Sequence, residues 1–142
     1  MKNIKDYSLF EKQGFVSNIE KDTLDNESYR KVLYTAAGIQ LVLMTLKPGE
    51  EIGEEIHNDI DQFFRFEEGE GIAMIDGKEN KVKDGSGVIV TAGAKHNIIN
   101  TGTGNLKLYS LYAPPKHEDG IDRKDKKDTV GDKEKFTGKT TE

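Results

Sequence analysis

The chain has 142 residues, of which 34% are apolar and 33% are charged, and its mean hydropathy is −0.71. This length suits one domain with one core, and the low hydropathy indicates a compact apolar part joined to a strongly solvated part. The net charge of −5 does not favour binding to nucleic acid. Because the chain contains no cysteine, disulfides, thiolate nucleophiles and zinc–thiolate sites are excluded.

The residues from Met1 to Tyr7 lack the apolar stretch of a secretion signal, and no apolar run is long enough to cross a membrane. We therefore expect a soluble, cytoplasmic protein. Its expected partner is a small-molecule ligand or substrate, with no nucleic acid and no membrane involved.

The first 28 residues are polar, and within them only Gly14 to Val16 is typical of a short strand. This segment is predicted to be an N-terminal arm or an edge strand. Residues 116–142 hold 8 basic and 8 acidic residues, and their large apolar groups are Ile121, Val130 and Phe136. Such a segment cannot form its own core. It is predicted to be a solvated tail, mobile or lying over the barrel, or alternatively a clip held on a partner subunit by those three groups.

Residues 29–115 consist of short runs rich in β-branched and aromatic residues, separated by glycines. No segment repeats apolar residues at helical spacing, so little helix is expected. Asp76-Gly77 lies between two apolar runs and predicts a two-residue hairpin turn. Many short strands in one small domain favour an antiparallel barrel or sandwich. The predicted strands are 30–36, 39–46, 62–66, 71–75, 80–83, 87–91, 97–100 and 106–112.

Two of the three histidines fall where a strand is predicted to end beside a turn, namely His57 and His96. Glu55 and His57 lie two residues apart on one face of a strand, about 7 Å apart by strand rise. A short turn then brings Gln62 back antiparallel to that pair. If Gln62 faces inward, Phe64 and Phe66 share its face and form an apolar floor. With His96 as the fourth group, such a set can hold a divalent cation that keeps open coordination positions.

The spacing of these residues resembles the two motifs of the cupin superfamily. Gly49, five residues, Glu55, one residue, His57, four residues, Gln62, six residues and Gly69 fit the first motif. Gly85, five residues, Thr91, one residue, Gly93, two residues, His96, three residues and Asn100 fit the second. The resemblance implies an all-β antiparallel double-stranded β-helix, or jelly-roll barrel, over residues 29–115, with polar arms at both ends.

The family's four metal positions are typically His, His, Glu and His, and here they are Glu55, His57, Gln62 and His96. The resemblance therefore implies a divalent metal ion, with Zn, Mn, Fe and Ni as the candidates. The set keeps one negative charge, but it has two nitrogens and two oxygens. An amide oxygen binds metal ions weakly. Gln62 is therefore either a metal ligand itself or a hydrogen-bond partner of a metal-bound water.

The ligand types are similar to those that hold zinc in type I phosphomannose isomerases, which are themselves cupins. This similarity implies a small metalloenzyme that acts on a sugar or carbonyl compound. Such chemistry also needs a cationic phosphate clamp and a positioned base. The sequence supplies neither, because Arg65 and Lys95 are expected to point away from Gln62 and His96.

Two alternatives stay open. Without Gln62, the set has two histidines and one carboxylate, which suits non-haem Fe(II) or Mn(II) and a dioxygenase reaction. A non-catalytic binding or sensor module is the third possibility.

Three further residues carry expectations. His117 follows two prolines after the last strand, where it could fold over the barrel mouth, but solvent exposure is expected. Tyr109 and Tyr112 face opposite ways, so only one of them looks into the barrel. Phe63 is expected to face outward, which favours a homodimer.

Overall fold

The computed structural model describes residues 12–142, so the first eleven residues of the predicted N-terminal arm lie outside the described part. The ten strands are β1 (Arg30–Thr35), β2 (Gln40–Leu46), β3 (Glu55–Ile56), β4 (Asp61–Glu68), β5 (Glu70–Ile75), β6 (Lys78–Lys83), β7 (Gly87–Val90), β8 (Lys95–Asn100), β9 (Leu106–Ala113) and β10 (Asp122–Arg123). One α-helix, α1 (Ile19–Asp25), precedes them, and a 3-10 helix (Lys126–Thr129) follows them.

All strand pairs are antiparallel, and the described strands form two sheets. The larger sheet has the order β10-β1-β2-β9-β4-β7, and the smaller has the order β3-β8-β5-β6. These crossovers give the expected double-stranded β-helix, built as two sheets around a shared core. All eight predicted strands are present, with ends that move by two residues or fewer.

The core lies between the two sheets and takes side chains from both. Met44, Phe64 and Phe66 come from the larger sheet, while Ala73 and Ile98 come from the smaller, and all are at most 1% exposed. The alternating apolar residues of β4 are buried, as their period of two predicts. The Asp76-Gly77 turn joins β5 to β6, and both residues have positive φ, at 46° and 82°. This is the hairpin geometry that the dipeptide favours.

The N-terminal segment differs from its prediction. Gly14 to Val16 forms no strand and is exposed, whereas residues 19–25 form α1. The Asn18 side chain caps this helix by accepting a hydrogen bond from the Lys21 backbone N–H at 3.1 Å. Seven residues are too few for a visible apolar period, so the cap was the main signal available in the sequence.

The C-terminal segment lies over the sheets of its own chain. Its strand β10 pairs with β1, and the Val32 N–H donates to the Ile121 carbonyl at 2.9 Å. Further along, the Thr141 N–H donates to the Thr35 carbonyl at 2.9 Å. Ile121 is 7% exposed and belongs to the core of this chain, while Val130 is 84% exposed. The segment is therefore packed on the barrel; the division at residues 28 and 115 stays a prediction.

Within the described residues, no helix has the length and apolar character needed to span a membrane.

Candidate metal site

Pairing of β3 with β8 brings the two motifs together. Glu55 is the register partner of His96 across this pair. The Gly93 N–H also donates to the His57 carbonyl at 2.8 Å, so the turn before β8 is tied to the residue that follows β3. Gly93 has φ of +91°, a conformation that a side chain disfavours, which explains a glycine in this turn.

Glu55, His57 and His96 each offer one ligand atom, and these three atoms all lie within 4.8 Å of one another. Glu55 Oε2 is 3.6 Å from His57 Nε2, and the two imidazole rings are 5.2 Å apart between centroids. The side chain of His57 is 10% exposed and His96 is 2% exposed. The structure thus brings together three residues that are up to 41 positions apart in the chain, in a group that could hold a metal ion.

The surroundings of the imidazoles suit that role. His96 Nδ1 lies 3.2 Å from the Ala94 carbonyl, and a hydrogen bond from Nδ1 to this oxygen leaves Nε2 as the free lone pair. His57 Nε2 is buried and has no hydrogen-bond partner among the described residues. Burial lowers the pKa of His57, although Glu55 opposes this effect. A neutral imidazole is the form that binds metals.

Gln62 faces inward, as expected, and is 3% exposed. Its Nε2 donates to Ser110 Oγ at 2.8 Å. Its Oε1 is buried and has no hydrogen-bond partner within the described part of the chain. Phe64 and Phe66 are buried on the same face of β4, and the Phe64 ring lies 6.2 Å from the His96 ring, so Phe64 forms an apolar wall beside the cluster.

Of the two tyrosines, Tyr112 has its side chain facing the interior of the barrel and is 3% exposed, while Tyr109 is only partly buried. The Tyr112 ring lies 6.3 Å from the His57 ring. Burial raises the pKa of Tyr112, so the phenol stays protonated.

The expectation that His117 lies in solvent is wrong. His117 is 1% exposed, and its ring packs edge-on against Tyr112 at 5.0 Å between centroids. Its Nδ1 lies 2.5 Å from Glu134 Oε1, and its backbone N–H donates to Gln40 Oε1 at 2.9 Å. The tail folds back over the barrel mouth because these buried polar groups satisfy one another.

The neighbouring Lys116 is also close to the cluster, with Nζ 3.9 Å from Glu55 Oε2. Lys95 and Arg65 point away, as expected, and pair with Glu54 and Glu67. Lys116 and Glu134 were therefore not predicted near the site, and His117 was predicted in solvent. The available signal was the position of His117 directly after the last strand, where the chain leaves the end of the barrel.

Comparison with known proteins places these features in a family. The family model described as "Cupin domain" matches residues 42–112. The chain is 44% identical over 134 residues to the uncharacterized protein YrkC of Bacillus subtilis, covering 89% of this chain and 70% of YrkC. It is also 44% identical over 113 residues to the uncharacterized protein L612 of Acanthamoeba polyphaga mimivirus, covering 76% of this chain and 70% of L612.

Among solved structures, BH2720 from Bacillus halodurans superposes with a TM-score of 0.82 at 39% identity. The match covers 84% of this chain and 95% of BH2720. The motif spacing, the two-sheet architecture and these similarities agree, and the chain belongs to the cupin family.

Proposed function

We propose that Glu55, His57 and His96 hold a divalent metal ion, and that the protein is a metal-dependent enzyme acting on a small sugar or carbonyl compound. The observation that carries this proposal is the convergence of one carboxylate and two imidazoles within 4.8 Å at the end of a double-stranded β-helix. One carboxylate and two neutral imidazoles offset part of the charge of a divalent ion and leave coordination positions for a substrate.

Gln62 is proposed as the fourth contributor. Its buried, unpartnered Oε1 is the kind of atom that a cation or a water ligand of a cation would satisfy. Because an amide oxygen is a weaker metal ligand than imidazole or carboxylate, Gln62 should contribute less to metal affinity than His57 or His96.

The bound ion would polarise a substrate oxygen as a Lewis acid. The residues of the chain would do the remaining work. The Phe64 ring, 6.2 Å from the His96 ring, gives the site an apolar wall, and Tyr112 closes one side. Lys116 and His117 place a cation and an imidazole at the edge of the cluster. These are the two kinds of group that an isomerase-like reaction needs and that the barrel strands do not supply.

Their presence supports carbonyl chemistry with a proton transfer, such as the interconversion of an aldose and a ketose. An oxygen-dependent reaction is the second candidate. It is favoured by the cluster itself, since two histidines and one carboxylate with open positions suit non-haem Fe(II).

Metal analysis of the full chain, purified without added metal, tests the proposal. We expect about one ion per chain. After a chelator has removed it, we expect added Zn, Mn, Fe(II) or Ni at 100 times Kd to stabilise the fold by about 2.7 kcal/mol. Glu55→Gln, His57→Ala and His96→Ala should abolish the resulting rise in melting temperature, and Gln62→Ala should only reduce it. Glu54→Gln is the matched control, because Glu54 pairs with Lys95 outside the cluster.

No stoichiometric ion, together with no melting shift from any of these metals, would overturn the metal site. Equal losses from Gln62→Ala and His57→Ala would show instead that the amide is a full ligand. Turnover of aldose and ketose phosphates without oxygen would support the isomerase, oxygen consumption by the iron-loaded protein would support the dioxygenase, and ligand binding without turnover would support the sensor module.

A further inference from the structure

A row of apolar side chains crosses the face of the larger sheet that points away from the core. It contains one residue from each of five neighbouring strands, and each is a register partner of the next: Tyr34, Leu41, Leu111, Phe63 and Ile89. We call these five residues the outer row. All five are partly or largely exposed, Ile89 to 68%. At about 4.8 Å between strands the outer row is about 19 Å long, and a continuous exposed apolar surface of this kind indicates a protein contact.

Helix α1 covers the same sheet face on one side of the outer row. It contacts β2, β4 and β9. The carbonyl of its C-cap residue Asn26 accepts hydrogen bonds from Thr45 Oγ1 at 2.7 Å and from Lys107 Nζ at 2.5 Å. Thr45 and Lys107 alternate outward together with the outer row, and both are buried. On the other side of the outer row, Asp61 and Ala113 are exposed. A partner must therefore fit beside α1, over the outer row and this exposed side.

The residues on the two sides of the outer row complement each other. On β4, Arg65 lies on the α1 side and Asp61 lies on the exposed side. On β9, Tyr109 lies on the α1 side and Ala113 lies on the exposed side. The Arg65 side chain is 39% exposed, so an accessible cation on one side matches an exposed anion on the other. A large ring likewise matches a small side chain. A surface with two complementary halves suits contact with a second copy of itself.

The position of α1 selects one symmetric arrangement. Two copies packed face to face are related by a twofold axis that lies in the plane of the contact. An axis along the strands would press the two α1 helices against each other, because α1 lies over the central strand β9, and it would set Arg65 on β4 against Leu43 on β2. An axis along the outer row instead places the two helices on opposite sides and sets Arg65 against Asp61 of the second copy.

We propose that two copies of this chain pack outer row against outer row, about a twofold axis that runs along the row. Leu111 meets its own copy at the centre, and Arg65 of each copy faces Asp61 of the other. An apolar centre with a charged rim is the usual composition of a protein interface. The outer row points away from the core, whereas His57 and His96 lie inside the barrel. The interface therefore stands or falls independently of the proposed metal site.

Charge reversal followed by light scattering and gel filtration tests this arrangement. Arg65→Glu and Asp61→Lys should each raise the dimer dissociation constant by at least about tenfold, because each variant sets like charges against each other across the axis. An equimolar mixture of the two variants should form a heterodimer, since every facing pair then has opposite charges. Lys124→Glu is the control, because Lys124 is an exposed tail cation that pairs with Asp122 away from the outer row.

The mixture distinguishes the interface from a general loss of stability. Recovery of the dimer in the mixture would support the opposed positions of Arg65 and Asp61, since a misfolded variant would not be rescued. A monomeric unaltered chain, single variants that dimerise as well as the unaltered chain, or a mixture that stays monomeric would overturn the proposal.

Thiol crosslinking decides the matter if Arg65→Glu does not fold. The chain has no cysteine, so Leu111→Cys introduces a single thiol at the centre of the outer row. A short bismaleimide should join two copies of this variant at micromolar protein, because facing sheets pack about 10 Å apart and the axis passes through this position. Val130→Cys is the matched control, at an exposed position on the tail. No covalent dimer from Leu111→Cys, or equal yields from the two variants, would overturn the proposal.

Discussion

His117 is the residue whose environment most changes the view of this protein. It is the second residue of the tail, which begins at Lys116. Its side chain is nevertheless almost completely buried between Tyr112 and Glu134. Burial disfavours the charged form of a histidine in this position, and its Nδ1–H needs an acceptor. Glu134 supplies that acceptor from 17 residues further along the chain.

This environment predicts how stability depends on pH. Burial lowers the pKa of folded His117, so below about pH 6.5, the usual histidine value, the unfolded chain binds a proton that the folded chain does not. The free energy of unfolding should therefore fall as the pH drops from 7.5 to 5. His117→Asn should show a smaller fall, measured by urea unfolding of the metal-free protein. Lys124→Gln should keep the unaltered slope, and an unchanged slope in His117→Asn would contradict the prediction.

Glu134 responds in a lower pH range. Desolvation raises its pKa, but hydrogen bonds from His117 and from the Glu118 N–H outweigh that effect, and the net shift is downward. A carboxyl group with a lowered folded pKa stabilises the fold above its unfolded pKa and loses that effect as the pH falls through the folded value. The contact between the tail and the barrel is thus weakened by acid at both residues.

At the scale of elements, β10 is the strand that the sequence pattern did not indicate. It has two residues, and it pairs with β1 at the edge of the larger sheet. Covering an edge in this way removes exposed backbone donors and acceptors. Ile121, next to β10, anchors the tail by entering the core of the barrel.

Two substitutions in the tail test whether this segment contributes to the stability of the barrel. Ile121→Ala should lower the free energy of unfolding by about 2–4 kcal/mol, because it leaves a cavity in the core. Val130→Ala, at a position that is 84% exposed, should change stability by less than about 0.5 kcal/mol. Urea unfolding measures both. Equal small effects would show that the tail adds nothing to the stability of the barrel.

At the scale of the whole molecule, an outward apolar surface lies on the larger sheet. Phe63 and Ile89 are register partners on β4 and β7, and Ile89 is 68% exposed. The Phe63 ring lies 6.3 Å from the Tyr109 ring on the neighbouring strand. Exposed apolar groups on a sheet face favour association of two copies. The homodimer remains a prediction, and this surface is where we expect its interface.

Light scattering coupled to gel filtration tests that interface. The unaltered chain should elute as a dimer at micromolar concentration, and Ile89→Asp should elute as a monomer, because an unpaired carboxylate would be buried in the contact. Val130→Asp is the matched control, since Val130 is also an exposed apolar residue, at 84%, but lies on the tail. A monomeric unaltered chain would contradict the prediction.

Much of this architecture was determined by the sequence alone. Alternating apolar residues and the Asp76-Gly77 turn predicted eight strands of an antiparallel barrel or sandwich, and the resemblance to the cupin motifs implied the double-stranded β-helix. They also predicted that Glu55, His57 and His96 meet, since two motifs at fixed distances from β3 and β8 leave little freedom once those strands pair. These features are local or repeat with a fixed period, so they can be read from neighbouring residues.

Only the tertiary structure decided where the two ends of the described chain lie. The tail has few apolar residues and no period, and its position depends on single contacts with residues far away in sequence, such as His117 with Gln40 and Thr141 with Thr35. Each contact is worth little by itself, and they form only together with the completed barrel. For that reason the sequence pointed to the metal cluster, while the packing of the C-terminal segment beside it became visible only in three dimensions.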